Sequence, residues 1–194
     1  MLSKRIASLV VSLSAILAAI WWIIPTAFSV ARRPLNAALS TAAFKGDVPR
    51  VQALLNRGAD VNARDQSGEH ILGWAARGGS FETLQLLLNQ GADVNARHAV
   101  TNSTALIVAA FYSQKQSVRL LLVRGANPDV RNWNGHTALM LAAGGGHLEI
   151  VKELLASRAD KSISDKNGNT ARTLAVANGH HAVAALIDDV IGKG

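Results

Sequence analysis

No cysteine occurs among the 194 residues of this chain. Disulfides, thiolate metal sites and cysteine nucleophiles are therefore excluded, and the fold must be held by packing. Charged residues are also scarce, at 17 %, against 49 % apolar residues. The net charge is +7, but the basic residues form no cluster with interleaved aromatic residues. A nucleic-acid partner is therefore not expected.

Catalytic motifs are absent from the sequence as well. It contains no H-E-x-x-H, no G-x-S-x-G and no Walker loop. His180 and His181 are adjacent, and neighbouring helix residues diverge, so they make a poor metal chelate. The aspartates Asp60, Asp93 and Asp160 recur at one place of a repeated motif, which indicates turn formation and not a calcium site. We expect no enzyme activity, no cofactor and no metal.

One long uncharged run lies near the amino terminus, from Ile6 to Ile24. As a helix it would span about 28 Å, close to the bilayer hydrocarbon thickness of about 30 Å. It is long for the apolar region of a signal peptide, which favours an uncleaved anchor. The alternative is a secretory signal peptide that is cleaved after Ser29-Val30-Ala31. Residues 1–31 are thus a transmembrane anchor or a signal peptide, and residues 32–34 a basic hinge.

This segment also carries the expected location. If it anchors the chain, we expect the repeats described below to lie outside the cytoplasm, with residues 6–24 in the membrane. If it is cleaved, we expect an exported protein, either periplasmic or secreted.

The dominant pattern is the segment Gly58-Ala59-Asp60-Val61-Asn62-Ala63-Arg64. It returns nearly unchanged from Gly91, and in weaker form from Gly125 and Arg158, so the period is 33 or 34 residues. A fixed period of this size predicts a stack of small units, each of which needs its neighbours to bury its apolar face.

Each unit reads as two short helices. Thr104, Thr137 and Thr170 are placed to cap the first helix, and alanine pairs such as Ala75-Ala76 allow close helix approach. Four of the first helices are predicted to end at a glycine, namely Gly46, Gly79, Gly146 and Gly179. In the third unit, Ser113-Gln114 occupies this place. Apolar residues at helical spacing then predict the second helix.

This unit resembles the ankyrin repeat, most closely from Gly135 to Leu155. The resemblance covers residues 35 to about 190 and implies an all-α repeat solenoid with β-turn tips. We expect one hydrophobic amino-terminal helix, followed by a repeat domain of residues 35–194 with five helix-turn-helix units. The approximate bounds of the units are 35–64, 65–97, 98–131, 132–164 and 165–194. The family's T-P-L-H sequence is nowhere intact, and the third unit gains one residue in the turn from Arg97 to Asn102.

The resemblance also implies a non-catalytic scaffold that binds a protein through its turn tips and the inner face of its first helices. The places concerned are Arg64, Gln66, Ser67, Glu69, Arg77, Arg97, Val100, Ser103, Phe111, Tyr112, Arg131, Trp133, Asn134 and His136. Aromatic residues and arginine dominate binding hot spots, and the repeated arginines suit a partner with an acidic patch. We expect the binding surface in the middle units.

Two alternatives stay open. Phe111 and Tyr112 could pack against the next unit while the repeated arginines are merely solvated. The chain could also be a structural spacer at the membrane surface without a dedicated concave site. Trp74 is predicted to lie in the core between first helices.

Overall fold

The computed structural model describes residues 33–189. The anchor or signal segment and Arg32 of the predicted hinge lie outside the described residues. The first described helix, α1, covers residues 33–45. It includes Arg33 and Pro34 of the predicted hinge. Proline is tolerated in the first turn of a helix because its missing N–H needs no partner there.

Nine further helices follow within residues 33–189, and no strand occurs among these residues. In chain order they are α2 Val48–Asn56, α3 Ile71–Gly78, α4 Phe81–Asn89, α5 Ala105–Phe111, α6 Lys115–Val123, α7 Ala138–Gly144, α8 Leu148–Ala156, α9 Ala171–Ala177 and α10 His181–Asp189. They form five consecutive pairs, as the all-α repeat prediction requires.

The pairs stack into two layers. The first helices α3, α5, α7 and α9 contact one another in order, and so do the second helices α2, α4, α6, α8 and α10. The predicted alanine pairs lie between the first helices and are almost fully buried, at 0–2 % exposure. Leucines of the second helices, including Leu84, Leu121 and Leu154, fill the space between the layers.

The predicted caps are present. Thr104, Thr137 and Thr170 each accept a hydrogen bond from the backbone N–H three residues later. Ser113 takes the left-handed conformation, with φ 58°, at the place where other units have glycine. The second unit has no such threonine, and His70 caps α3 through Nδ1, which accepts from the N–H of Gly73 at 2.9 Å. Histidine is not a usual capping residue, so residue type alone does not predict this role.

The repeated motif joins one unit to the next. The Asn62 side chain accepts from the N–H of Asp93 and donates to the carbonyl of Gly91. Asn95 makes the same two contacts to Asn127 and Gly125. Within each motif an Asx-type turn forms, such as Asp60 Oδ1 accepting from the N–H of Asn62. The turn-forming role predicted for these aspartates is confirmed.

Candidate functional site

Five side chains from three consecutive units form a ridge on the first helices. We define this aromatic ridge as Phe44, Trp74, Arg77, Phe111 and Tyr112. Phe44 and Trp74 pack edge to face with ring centroids 5.7 Å apart, and Phe111 and Tyr112 do so at 5.1 Å. Exposure is 44 % for Phe44, 58 % for Phe111 and 41 % for Tyr112. The ridge is therefore a solvent-facing apolar surface that spans units one to three.

Arg77 connects the two aromatic pairs. Its guanidinium carbon lies 5.9 Å from the ring centroid of Phe44, 5.4 Å from Trp74 and 5.3 Å from Tyr112. These distances fit cation–π contacts, which hold the guanidinium in place without neutralising it. Arg77 is exposed, and none of the ion pairs within residues 33–189 includes it. The ridge thus presents a positioned positive charge between aromatic rings.

The predicted core position of Trp74 is confirmed only in part, because the side chain packs against the core from its edge. Trp74 is half-buried and its indole N–H donates to Asp65 Oδ2 at 2.8 Å, so one ring edge is tied to the turn before α3. The small residues Ala75 and Ala76 occupy the helix interface beside it. A bulky indole on the same interface would separate the helices, so Trp74 lies on the ridge.

The Asp65 carboxylate organises the turn tip of the second unit. Burial alone would raise its pKa. Hydrogen bonds from Ser67, Trp74 and the Glu69 N–H outweigh burial, and the pKa lies below its ordinary value. The charge of Asp65 is therefore already balanced by donors of its own turn. Gln66 and Ser67, both predicted contact residues, are exposed on this tip.

Glu69, which is partly buried, and His70, which is buried, form a titratable pair beneath the same tip. Glu69 Oε1 accepts from the His70 backbone N–H at 3.0 Å and lies 3.4 Å from His70 Nε2. Burial raises the pKa of Glu69 to about 7. Burial, reinforced by the charge of Arg64, lowers the pKa of His70 to about 4. The pair is therefore not a salt bridge near neutral pH.

A second surface lies between the turn tips of the third and fourth units. Val100, Thr101 and Ser103 from one tip and Asn132, Trp133 and Asn134 from the other line a cleft of about 380 Å³. Val100 is 70 % exposed and Trp133 67 %. Lys166 Nζ lies 4.5 Å from the Trp133 ring centroid and supports the indole from the next tip. The structure thus brings together four predicted contact residues, namely Val100, Ser103, Trp133 and Asn134.

The extra residue of the third tip is accommodated by His98. In the second, fourth and fifth units, the turn closes through a backbone bond from an Asp or Asn to the residue four positions later, as from Asp65 to Glu69. In the third unit the N–H of His98 reaches Ser103, five positions later. His98 Nδ1 then accepts from the N–H groups of Val100 and Thr101, in the manner of the Asp65 carboxylate.

Two of the three repeated arginines have a structural role. Arg64 donates to the carbonyls of Gly68 and Arg97, and Arg131 donates to those of Gly135 and Ser164. Each of the two therefore ties its own turn to the next unit. Repetition of a residue type could not reveal these acceptors, since they are backbone groups.

The seam between the third and fourth units is different. There Asn102, with φ 59°, donates through Nδ2 to the Arg131 carbonyl. Arg97 is exposed and its guanidinium makes no hydrogen bond within residues 33–189. Of the three repeated arginines, Arg97 is therefore the one whose guanidinium can bind a partner without breaking a hydrogen bond within residues 33–189.

His136 completes the predicted set. It is partly buried, and its Nε2 lies 3.4 Å from Asp165 Oδ2 in the next tip, so it contributes to the seam between the fourth and fifth units. In the described part of the chain, no group of three or more His, Asp or Glu side chains is arranged to hold a metal. None of the helices within residues 33–189 is both long and apolar enough to cross a bilayer.

Comparison with known proteins gives the family. The sequence profile described as Ankyrin repeats (3 copies) matches residues 39–132 and 112–193. The chain is 37 % identical over 97 residues to SH3 and multiple ankyrin repeat domains protein 2 of Homo sapiens. The matched region covers 50 % of this chain and 5 % of that protein. The chain is 46 % identical over 50 residues to a putative ankyrin repeat protein of Rickettsia felis, which covers 26 % of this chain and 79 % of that protein. A second such protein of that organism is 46 % identical over 48 residues and covers 25 % of this chain and 73 % of that protein. With its repeated helical pairs and a profile match across most of its length, the chain belongs to the ankyrin repeat family.

Proposed function

We propose that this chain is a non-catalytic scaffold that binds a protein partner through its aromatic ridge and its turn tips. Ankyrin repeats commonly mediate protein–protein interaction, and the chain's homologues are generally non-catalytic scaffolds. The observation that carries the proposal is the ridge, in which aromatic rings around Arg77 remain exposed across three units. Aromatic residues and arginine supply most of the binding energy at protein interfaces.

The partner carries acidic groups. Arg77 and Arg97 are exposed cations without a carboxylate partner among residues 33–189. A guanidinium group binds a carboxylate through two parallel hydrogen bonds, which gives both orientation and affinity. The cleft between Val100 and Trp133 takes an apolar side chain of the same partner.

The scaffold acts at a membrane or after export. The uncharged segment of residues 6–24 supports a membrane tether with the repeats outside the cytoplasm, and its cleavage after Ala31 would release them. Amino-terminal sequencing of the protein from its native host separates the two forms. A mature chain that begins at Arg32 would overturn the anchor.

Site-specific photocrosslinking in the native membrane tests the scaffold function. A photoreactive phenylalanine analogue replaces Tyr112 on the ridge, and in a matched control it replaces Arg119, which is exposed on the second helix α6. We expect a protein adduct from position 112 and a much weaker one from position 119. Equal adducts from both positions, or none from position 112, would favour a spacer without a concave site.

A further inference from the structure

A groove runs along α1, next to the first turn tip. It has a volume of about 760 Å³, and one wall is formed by a single face of α1. The residues of that face follow the helical spacing and are Arg33, Asn36, Ala37, Ser40, Thr41 and Phe44. The opposite wall consists of Arg64, Asp65, Gln66 and Trp74. The first unit thus supplies most of the lining of a binding-sized cavity.

The ends of this groove differ in chemistry. Arg33 lies near the amino end of α1 and is exposed, whereas Phe44 lies near its carboxyl end, where it packs against Trp74. The intervening polar groups are largely occupied: Asn36 Oδ1 accepts from the Asp60 N–H, and Thr41 Oγ1 donates to the carbonyl of its own helix. The groove therefore offers a cation at one end and aromatic rings at the other.

The groove carries a net positive charge. Among the described residues that line it, Asp65 is the only acidic one, and its carboxylate already accepts from Ser67, Glu69 and Trp74. Arg64 keeps its charge although its guanidinium is bonded to carbonyls. With Arg33 these groups create a field that attracts carboxylates and repels basic segments.

The length of the groove indicates how many residues of an extended peptide it can hold. Arg33 and Phe44 are separated by about 16 Å along the helix at 1.5 Å per residue. An extended chain covers that distance with about five residues at 3.3 Å each. A segment that pairs with Arg33 would therefore place a side chain on Phe44 and Trp74 about four or five positions away.

We propose that this groove binds an extended segment of a partner protein in which Asp or Glu lies four or five positions from Phe, Leu or Trp. The proposal rests on the scaffold function above and names the chemistry of the segment that the amino-terminal units recognise. The contacts beyond Phe44 and Trp74 continue onto Arg77 of the ridge, so the groove and the ridge form one surface.

Selection from a random peptide library against the full chain in a mild non-ionic detergent tests this proposal. We expect enriched sequences to share an acidic residue four or five positions from an aromatic or aliphatic one. The best sequence is then synthesised with blocked ends, and its affinity is measured by fluorescence anisotropy. Replacing its Asp or Glu with Asn or Gln should weaken binding about five-fold or more, and added salt should do the same.

Variants of the chain locate the binding. Arg33→Gln and Phe44→Ala should each weaken the peptide about five-fold or more, while Arg119→Gln on α6 should leave affinity unchanged. Both positions are exposed, and circular dichroism checks that the fold is retained. Failure to enrich any sequence, enrichment without the acidic residue, or affinity that is insensitive to Arg33→Gln would overturn the proposal. If the crosslink from position 112 is still obtained, only the groove fails. If the crosslink is lost as well, the scaffold function fails too.

Discussion

The Asn62 side chain accepts a hydrogen bond from the backbone N–H of Asp93 at 2.8 Å, and the two residues belong to successive copies of the same motif. Asn62 also donates to the Gly91 carbonyl at 3.1 Å. One copy therefore positions the next, which explains why the motif recurs in register. The same contact begins at Asn36, whose Oδ1 accepts from the N–H of Asp60.

Removing this link should destabilise the array. Asn62→Ala deletes both contacts to the next unit, and we expect the free energy of unfolding to fall by about 1–2 kcal/mol. Asn56→Ala is a suitable control, because Asn56 is exposed and bonds only Gln52 of its own helix among residues 33–189. Urea denaturation followed by circular dichroism measures both. An equal loss in the two variants would contradict the linking role.

The repeated arginines Arg64 and Arg97 should differ in their effect on stability. Arg64→Ala removes the bonds to Gly68 and Arg97 and should lower the free energy of unfolding by about 1–2 kcal/mol. Arg97→Ala should change it by less than about 0.5 kcal/mol, because the Arg97 side chain makes no hydrogen bond among residues 33–189. Thermal denaturation of the two variants in parallel gives the comparison. Equal effects would show that the two arginines have the same role.

Ser113 offers a stabilising change. Its φ of 58° places a side chain in the left-handed region, where other units have glycine. Ser113→Gly should raise the free energy of unfolding by about 1 kcal/mol, since glycine adopts this conformation without strain. The control is Ser157→Gly, where φ is −87° and glycine should bring no gain. A loss of stability in Ser113→Gly would contradict the strain argument.

The pair Glu69 and His70 predicts a pH dependence of stability. The pKa of Glu69 is raised from 4.5 to about 7 in the folded protein, so its contribution to stability is full below pH 4.5 and is lost as pH rises through 7. The pKa of His70 is lowered from 6.5 to about 4, so its contribution is full above pH 6.5 and is lost as pH falls through 4. The two contributions oppose each other between these limits.

Glu69→Gln removes one side of this balance. Relative to the original protein, the variant should gain stability as pH rises from 4.5 to 7, because the original protein loses the Glu69 contribution over this range and the variant has none to lose. Chemical denaturation at a series of pH values measures the difference in unfolding free energy. A difference that does not vary with pH would contradict the raised pKa of Glu69.

The repeated architecture could be predicted from the sequence because its signals are local. The repeated motif determines the turns and the threonine caps determine the helix starts, in each case through neighbouring residues. The alanine pairs are small side chains at one place in each first helix, and they let successive first helices approach closely. The one-residue insertion of the third tip, between Arg97 and Asn102, could also be predicted from the spacing of the units. In this turn His98 Nδ1 accepts the hydrogen bonds that an aspartate carboxylate accepts in the second unit. Only the structure shows this role of the histidine ring.

The candidate site was predicted only in part. The sequence predicts Arg77, Phe111 and Tyr112 at the surface, but it does not predict a site role for Phe44 and it places Trp74 in the core. Helical periodicity locates an apolar face without telling a ridge from an interface, and here the distinction depends on how closely α1, α3 and α5 approach. The carbonyl acceptors of Arg64 and Arg131 were equally invisible, since every residue carries one.

The most direct test of the scaffold function is the affinity of the crosslinked partner, once purified, for ridge variants of the full chain. Arg77→Gln and Tyr112→Ala should each weaken binding about ten-fold, a loss of about 1.4 kcal/mol, while Arg119→Gln on the opposite layer should leave it unchanged. Isothermal titration calorimetry gives the dissociation constants. Affinities that are the same for both ridge variants and the original protein would contradict the claim that the aromatic ridge is the binding surface.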